Sequence, residues 1–134
     1  MVVSALTRPL RALFVEDSEL DYHLILRLLG NSGYAIESHR VETEETMREA
    51  LANATWDVVI SDYNLPKFSA TNALATLKST GLDIPFLIVS GEIGEDVAVE
   101  AMVAGADDYV LKSRLRRLGP ALARSLEAAR GRQR

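Results

Sequence analysis

Four places in the sequence carry side chains that could act together on a charged, oxygen-rich ligand: Glu16-Asp17, Asp62, Ser90 and Lys112. Carboxylates brought close together repel unless a proton or a cation sits among them. Glu16, Asp17 and Asp62 would make a hard oxygen site of the kind that suits Mg²⁺, which takes few protein carboxylates, keeps waters and accepts phosphate oxygens. Lys112 supplies a compact positive charge opposite the metal, and the Ser90 hydroxyl can donate a hydrogen bond. Such a set can hold a phosphoryl group while charge spreads over its oxygens. The nucleophile would be a carboxylate, giving an acyl phosphate.

Taken singly, each residue has an ordinary structural role. Acids after a strand often cap the next helix, Asp62-Tyr63-Asn64-Leu65-Pro66 has the composition of a turn, Ser90-Gly91 can begin a loop, and Lys112 suits a surface. Tyr109 suits a strand core, and His23 and His39 stand alone with no partner pattern. What joins them is the set of elements that must position them. Short apolar runs at 11–15, 34–41, 57–61, 84–90 and 109–111 alternate with stretches of helical spacing. Ser18-Glu19-Leu20-Asp21 forms a capping-box-like start. An apolar stripe of Leu20, Leu24 and Leu28 with Ile25 and Leu29 follows, and Gly30 or Gly33 stops it. Residues 43–52 predict a short, acidic, solvent-facing helix, and residues 69–79 a helix carrying Leu74 and Leu77 that ends at Gly81. Glu95 and Asp96 suit a helix N-terminus, and Gly105 suits its C-terminal cap. Leu115, Leu118, Leu122 and Leu126 predict the inward stripe of a last helix, in which Pro120 is tolerated only in the first turn.

Val58-Val59-Ile60 and Phe86-Leu87-Ile88-Val89 are apolar on both faces, as expected of parallel strands covered by helices on both sides. One-handed crossovers leave few topologies. The fold class predicted is α/β, a doubly wound (βα)5 five-stranded parallel sheet. Ligands of such sheets bind beyond the carboxyl ends of the strands, and every candidate residue falls at the carboxyl end of its own predicted strand.

The 134 residues suit one domain. We expect an N-terminal extension over 1–10, the domain over 11–129 and a tail over 130–134. A chain of this size buries roughly two-thirds of its unfolded surface, enough for a core without staples. The absence of cysteine excludes disulfides, a thiolate nucleophile and cysteine metal sites. No apolar run approaches the roughly 18 residues of a membrane span, and residues 1–10 lack a secretory pattern. The expectation is a soluble, cytoplasmic protein. A net charge of −4 argues against direct nucleic-acid binding. From Lys112 onward eight basic residues face one acid, Glu127. That excess reads as a solvated basic helix and tail, with a partner-docking face as the alternative.

In order and spacing, Leu13-Phe14-Val15-Glu16-Asp17-Ser18, residues 57–66, Ile88-Val89-Ser90-Gly91, residues 104–110 and Leu111-Lys112 resemble the receiver domain of bacterial two-component response regulators, over roughly residues 11–129. The resemblance implies a flavodoxin-like, CheY-like fold, with Asp62 accepting a phosphoryl group from a phosphohistidine in a Mg²⁺-dependent reaction. It implies Glu16, Asp17, Asp62 and the backbone carbonyl of Asn64 as metal ligands. Ser90, with Gly91 after it, is the implied switch hydroxyl, Tyr109 the switch aromatic, and Lys112 the lysine that pairs with phosphoryl oxygens. Implied partners are a sensor histidine kinase or phosphotransfer protein, and a downstream protein on the surface of the fourth helix, fifth strand and fifth helix, with a homodimer as a further option. The run from Ser90 to Met102 is more similar to receivers that stand alone or belong to sensor kinases than to those of transcription factors.

Three positions depart from the family pattern. Gly91 stands where alanine is frequent, Ala70 where glycine is frequent, and Ser113 where proline usually follows the lysine. A cis bond without proline costs several kcal/mol, so a trans Lys112–Ser113 bond or a shifted lysine is expected. Two other functions compete. A Mg²⁺-dependent phosphatase of the haloacid dehalogenase type would want an acid/base aspartate where Asn64 stands. A binding module of the same fold would want a phosphate-cradling loop after the first strand, or would have lost Asp62 or Lys112.

Overall fold

The doubly apolar segments form the middle of a five-stranded sheet in the computed structural model, which describes residues 7–63, 65–91 and 94–132. The strands are β1 (Arg8–Val15), β2 (Tyr34–Val41), β3 (Val58–Asp62), β4 (Phe86–Ser90) and β5 (Asp108–Leu111). All neighbours run parallel, in the order β2-β1-β3-β4-β5. β1 starts at Arg8, three residues before its expected start, because Arg8 to Leu10 pair with Tyr34 to Ile36 of β2. Pro9 is harmless there. The Arg8 N–H points toward β2, donating to Gly33 O, so the Pro9 nitrogen faces the other edge, where pairing to β3 begins only at Ala12.

Alternate side chains of each strand go to opposite faces. Ala12, Phe14, Val58, Ile60, Leu87 and Val89 form one core under α1 (Glu19–Asn31) and α5 (Leu118–Arg132). Leu13, Val15, Val59, Phe86 and Ile88 form the other under α2 (Glu44–Asn53), α3 (Ala70–Ser79) and α4 (Glu95–Val103). This is the doubly wound α/β architecture expected. α2 is capped by a reciprocal Thr43–Thr46 box and buries Met47, Ala50 and Leu51, so it is amphipathic rather than merely solvent-facing. Gly105 ends α4 with φ +115°, and a Cβ there would stand 2.9 Å from Lys78 Cε. Its positive φ calls for glycine, whereas the tip of the flexible Lys78 side chain could move aside.

Two helical expectations need correction. In α1 the inward residues are Tyr22, Ile25, Leu26, Leu28 and Leu29, so Leu28 packs as expected, whereas Leu20 and Leu24 are 78% and 50% exposed. Phe14 decides the rotation: its ring meets Tyr22 edge-on at 5.0 Å, which turns Leu20 and Leu24 outward. At the other end, Leu115 packs inward as expected but lies before the last helix. Residues Lys112–Arg117 form a 3₁₀ helix broken at Arg114 (φ −133°, ψ 46°), and α5 starts at Leu118. Pro120 thereby falls in the first turn of α5, where its missing N–H removes no helical bond. Among the described residues, no helix is long and apolar enough to cross a membrane.

The corrected stripe of α1 is open to measurement. Leu29→Ala should cost about 2–5 kcal/mol in denaturant unfolding, the range for a buried leucine. Leu24→Ala should stay within about 0.5 kcal/mol. Equal losses at the two positions would mean that α1 is rotated from the orientation described.

Candidate functional site

The strand register brings the chemistry to one edge. Val15 of β1 is level with Val41 of β2 and Ser61 of β3, Asp62 is level with Val89, and Ser90 is level with Leu111. Glu16 and Asp17 therefore follow β1, Asp62 ends β3, Ser90 ends β4 and Lys112 follows β5. β1 has β2 on one side and β3 on the other, so the chains leaving β1 and β3 turn to opposite faces. A crevice opens between them, the switch point where such sheets bind ligands.

Carboxylate oxygens of Glu16, Asp17 and Asp62 lie within 4.8 Å of one another in that crevice. The Glu16 carboxylate accepts from the Ser18 N–H at 3.2 Å. Ser18 Oγ in turn accepts from the Asp21 N–H at 3.1 Å. The capping box is thus completed by Glu16 from outside the helix, which frees the Asp21 side chain. The donor set is all oxygen and all anionic, which fits Mg²⁺ and offers nothing to a softer metal. Asn64, expected to add a backbone carbonyl, lies outside the described residues.

Lys112 reaches into the same crevice. Its Nζ is 2.6 Å from Asp21 Oδ2, 3.2 Å from Glu16 Oε1 and 3.5 Å from Asp62 Oδ2. Three carboxylates thus surround the ammonium, and its hydrogen bond goes to Asp21. Peptide bonds among the described residues are all trans, so Ser113 leaves the Lys112–Ser113 bond trans, one of the two outcomes expected. The lysine then opens the 3₁₀ helix.

These contacts set the protonation of the site. Burial, reinforced by the Asp62 charge and opposed by Lys112, pushes the Glu16 carboxyl up to about 7. Burial also holds Asp62 above the usual aspartate range, with Lys112 pulling it back. For Lys112 itself, burial acts to lower the pKa, but the hydrogen bond to Asp21 and the charges of Glu16 and Asp62 outweigh it and hold the ammonium above its ordinary value. The acids therefore keep a proton near neutrality that a cation would displace.

Ser90 is 1% exposed, and its Oγ has no hydrogen-bond partner among the described residues. A buried hydroxyl left so costs about 1–3 kcal/mol, and it stands one residue past the level of Asp62. Gly91 is exposed, and a Cβ there would meet nothing within 4 Å. The loop therefore does not need glycine for space. Ala70 is fully buried at the start of α3, its N–H donating to Tyr63 O. Tyr109 is half-buried and packs on the α2–α4 side of the sheet. His23 and His39 are exposed, as ordinary surface histidines.

Two contributors were missed by sequence reasoning. Asp21 carried no signal beyond an acid in a first helical turn. Arg40, on β2, donates from Nη1 to the Glu16 carbonyl at 3.1 Å, pairs with Glu19 and Glu42, and lies over Tyr22 at 5.9 Å. It ties the acid-bearing loop to the edge strand, and only the register of β1 with β2 reveals it. The basic C-terminal region is in part paired: Arg124 with Asp108, Arg130 with Glu127, and Arg132 with both oxygens of Asp83.

Comparison with known proteins agrees with this fold. A family model described as the response regulator receiver domain matches residues 12–122. Response regulator MprA of Mycobacterium sp. (strain KMS) is 31% identical over 104 residues, 78% of this chain and 44% of that protein. The chain thus spans less than half the length of the curated relative it matches. A response regulator receiver domain protein from Clostridium thermocellum superposes with a TM-score of 0.77 at 26% identity, covering 90% of this chain and 97% of that one. The receiver domain of a sensor histidine kinase from Pseudomonas aeruginosa PAO1, solved with a magnesium ion coordinated in its active-site cleft, shares the fold at a TM-score of 0.74 and 20% identity, covering 90% and 99%.

The raised Glu16 carboxyl gives a pH signature. A group raised on folding stabilises the fold below its unfolded value, and that contribution is lost as pH rises through its folded value. Metal-free protein should therefore lose stability between about pH 4.5 and 7, by up to about 3 kcal/mol from Glu16. Mg²⁺ binding requires the deprotonated acids, so its apparent affinity should fall up to about tenfold per pH unit below 7. Calorimetric titration at several pH values measures both the affinity and the proton released. Arg40→Ala should weaken Mg²⁺ by several-fold by loosening the Glu16 backbone.

Proposed function

The chain belongs to the response regulator receiver domain family, and on that premise we propose that Asp62 is its phosphoacceptor. Receiver domains of this family are the signalling switches of two-component systems. In the reading proposed for this chain, an Asp62 carboxylate oxygen attacks the phosphorus of a phosphohistidine on a sensor histidine kinase or phosphotransfer protein. The P–O bond forms as the P–N bond breaks, and the electron pair returns to the imidazole nitrogen. Lys112 holds the phosphoryl oxygens by charge, and Ser90 donates its hydroxyl to one of them. Glu16, Asp17 and Asp62, with the Asn64 carbonyl, would hold Mg²⁺, which supplies charge neutralisation for the acids and the phosphoryl group.

The observation that carries this reading is the Lys112 ammonium 3.5 Å from Asp62, beside a three-carboxylate cluster at the switch point. The Ser90 hydroxyl supports it, since it has no partner among the described residues and a phosphoryl oxygen would give that buried donor one. The chain acts as a switch rather than a turnover enzyme in this reading, because Asn64 stands where a phosphatase of similar chemistry needs a second aspartate, and an amide cannot exchange protons as an acid/base does. Its partners are proteins: the phosphodonor at the crevice, and a downstream protein, or a second copy, on the face of α4, β5 and α5. Nucleic acid and membrane are not partners, and the setting is the cytoplasm.

Acetyl phosphate with Mg²⁺ should give one labile phosphoryl adduct by intact mass, absent from Asp62→Asn; an unmodified wild type would reject the reading. Lys112→Ala should weaken beryllofluoride binding at saturating Mg²⁺ by about tenfold or more, the loss of a charge-assisted contact. Beryllofluoride should also shift the amide resonances of Ser90 and Tyr109 in the wild type.

A further inference from the structure

Asp21 is the nearest partner of Lys112, yet it lies outside the three-carboxylate cluster and has no part in the chemistry described above. It sits in the first turn of α1 with its backbone N–H held by Ser18 Oγ and its side chain turned away from the cap. Its carboxylate is 2.6 Å from the ammonium, whereas Asp62 is 3.5 Å away. At 2.6 Å the Asp21 contact is a charge-assisted hydrogen bond; at 3.5 Å the Asp62 contact is a looser ion pair. Glu16, at 3.2 Å, is an ion-pair neighbour, and among the described residues the hydrogen bond of the ammonium goes to Asp21. A phosphoryl oxygen arriving at Asp62 must compete with that bond for Lys112.

We propose that Asp21 is a positioning residue that holds the Lys112 ammonium back from Asp62, so that a phosphoryl group must win the lysine from a carboxylate on α1. This rests on the reading of Asp62 as phosphoacceptor. Glu16 and Asp62 are drawn toward a cation when one is present, so Asp21 is the competitor that stays. Its negative charge also lowers the potential that Lys112 offers to an anion at Asp62. Two consequences follow. The affinity of the site for a phosphoryl group is set below what the lysine alone would give. The transfer of Lys112 from Asp21 to the phosphoryl group also loosens the tie between the first turn of α1 and the segment after β5.

The test is beryllofluoride titration at saturating Mg²⁺, followed by amide NMR, with thermal unfolding as a control for folding. Asp21→Asn keeps the size of the side chain and removes its charge. It should bind beryllofluoride about tenfold more tightly than the wild type, and most of that gain should vanish in the Asp21→Asn, Lys112→Ala double variant. A residue that merely supported the fold would weaken binding instead of strengthening it. Unchanged or weaker binding by Asp21→Asn overturns the inference, as does a gain that persists in full without Lys112. A wild type that takes no beryllofluoride at Asp62 overturns the phosphoacceptor reading as well, whereas a wild type that binds and an Asp21→Asn variant that binds no better overturns this inference alone.

Discussion

Glu16, Asp21 and Asp62 come from three segments of the chain, and the Lys112 ammonium lets their carboxylates stand in one crevice. Glu16 is almost wholly buried and Asp62 mostly so, and burial alone drives both toward the neutral form. One ammonium cannot balance four carboxylates counted with Asp17, so the site stays short of positive charge. Protons fill part of the gap near neutrality, and a divalent cation is the species whose charge and oxygen preference fill the rest. The surrounding structure can be understood as the frame that keeps this imbalance in place.

That frame works because the strands are apolar on both faces. Val58, Val59, Ile60 and the Phe86–Val89 run leave polar side chains nowhere to go except the strand ends, and equal register puts those ends at one level. Arg40 then fixes the outgoing backbone at Glu16 from the edge strand, and Ser18 fixes the start of α1. The acid loop is thus anchored on two sides before any ligand arrives. Pre-organisation of this kind reduces the ordering that a bound cation or phosphoryl group would have to bring about.

The sheet and the gathering of Glu16, Asp17, Asp62 and Lys112 at one edge were legible because they follow from period, strand ends and one topological rule. The rotation of α1 was not. Five leucine and isoleucine positions at helical spacing fit more than one stripe, and the choice rests on the Phe14–Tyr22 ring contact between separate elements. Asp21 and Arg40 were invisible for the same reason: their meaning lies in partners 91 and 24 residues away. The consequence of Ser113 was only half legible. A trans bond could be anticipated from bond energetics, but not that the lysine would span Glu16, Asp21 and Asp62 from it. Leu115 was placed in the wrong helix because a 3₁₀ segment broken at Arg114 keeps helical spacing without helical continuity.

A change of charge at Asp62 has few routes outward. The β-ladder on either side of it is buried and paired, and such packing does not deform continuously. The groups that can respond are those at the strand ends, where side chains hold alternatives. Ser90 has a buried hydroxyl with no hydrogen-bond partner among the described residues. Lys112 has three partners and can exchange one. Ser90 ends β4 level with Leu111, and Lys112 is tied through Asp21 to α1. A phosphoryl group at Asp62 would draw on both, because the same oxygens that satisfy Ser90 compete for Lys112.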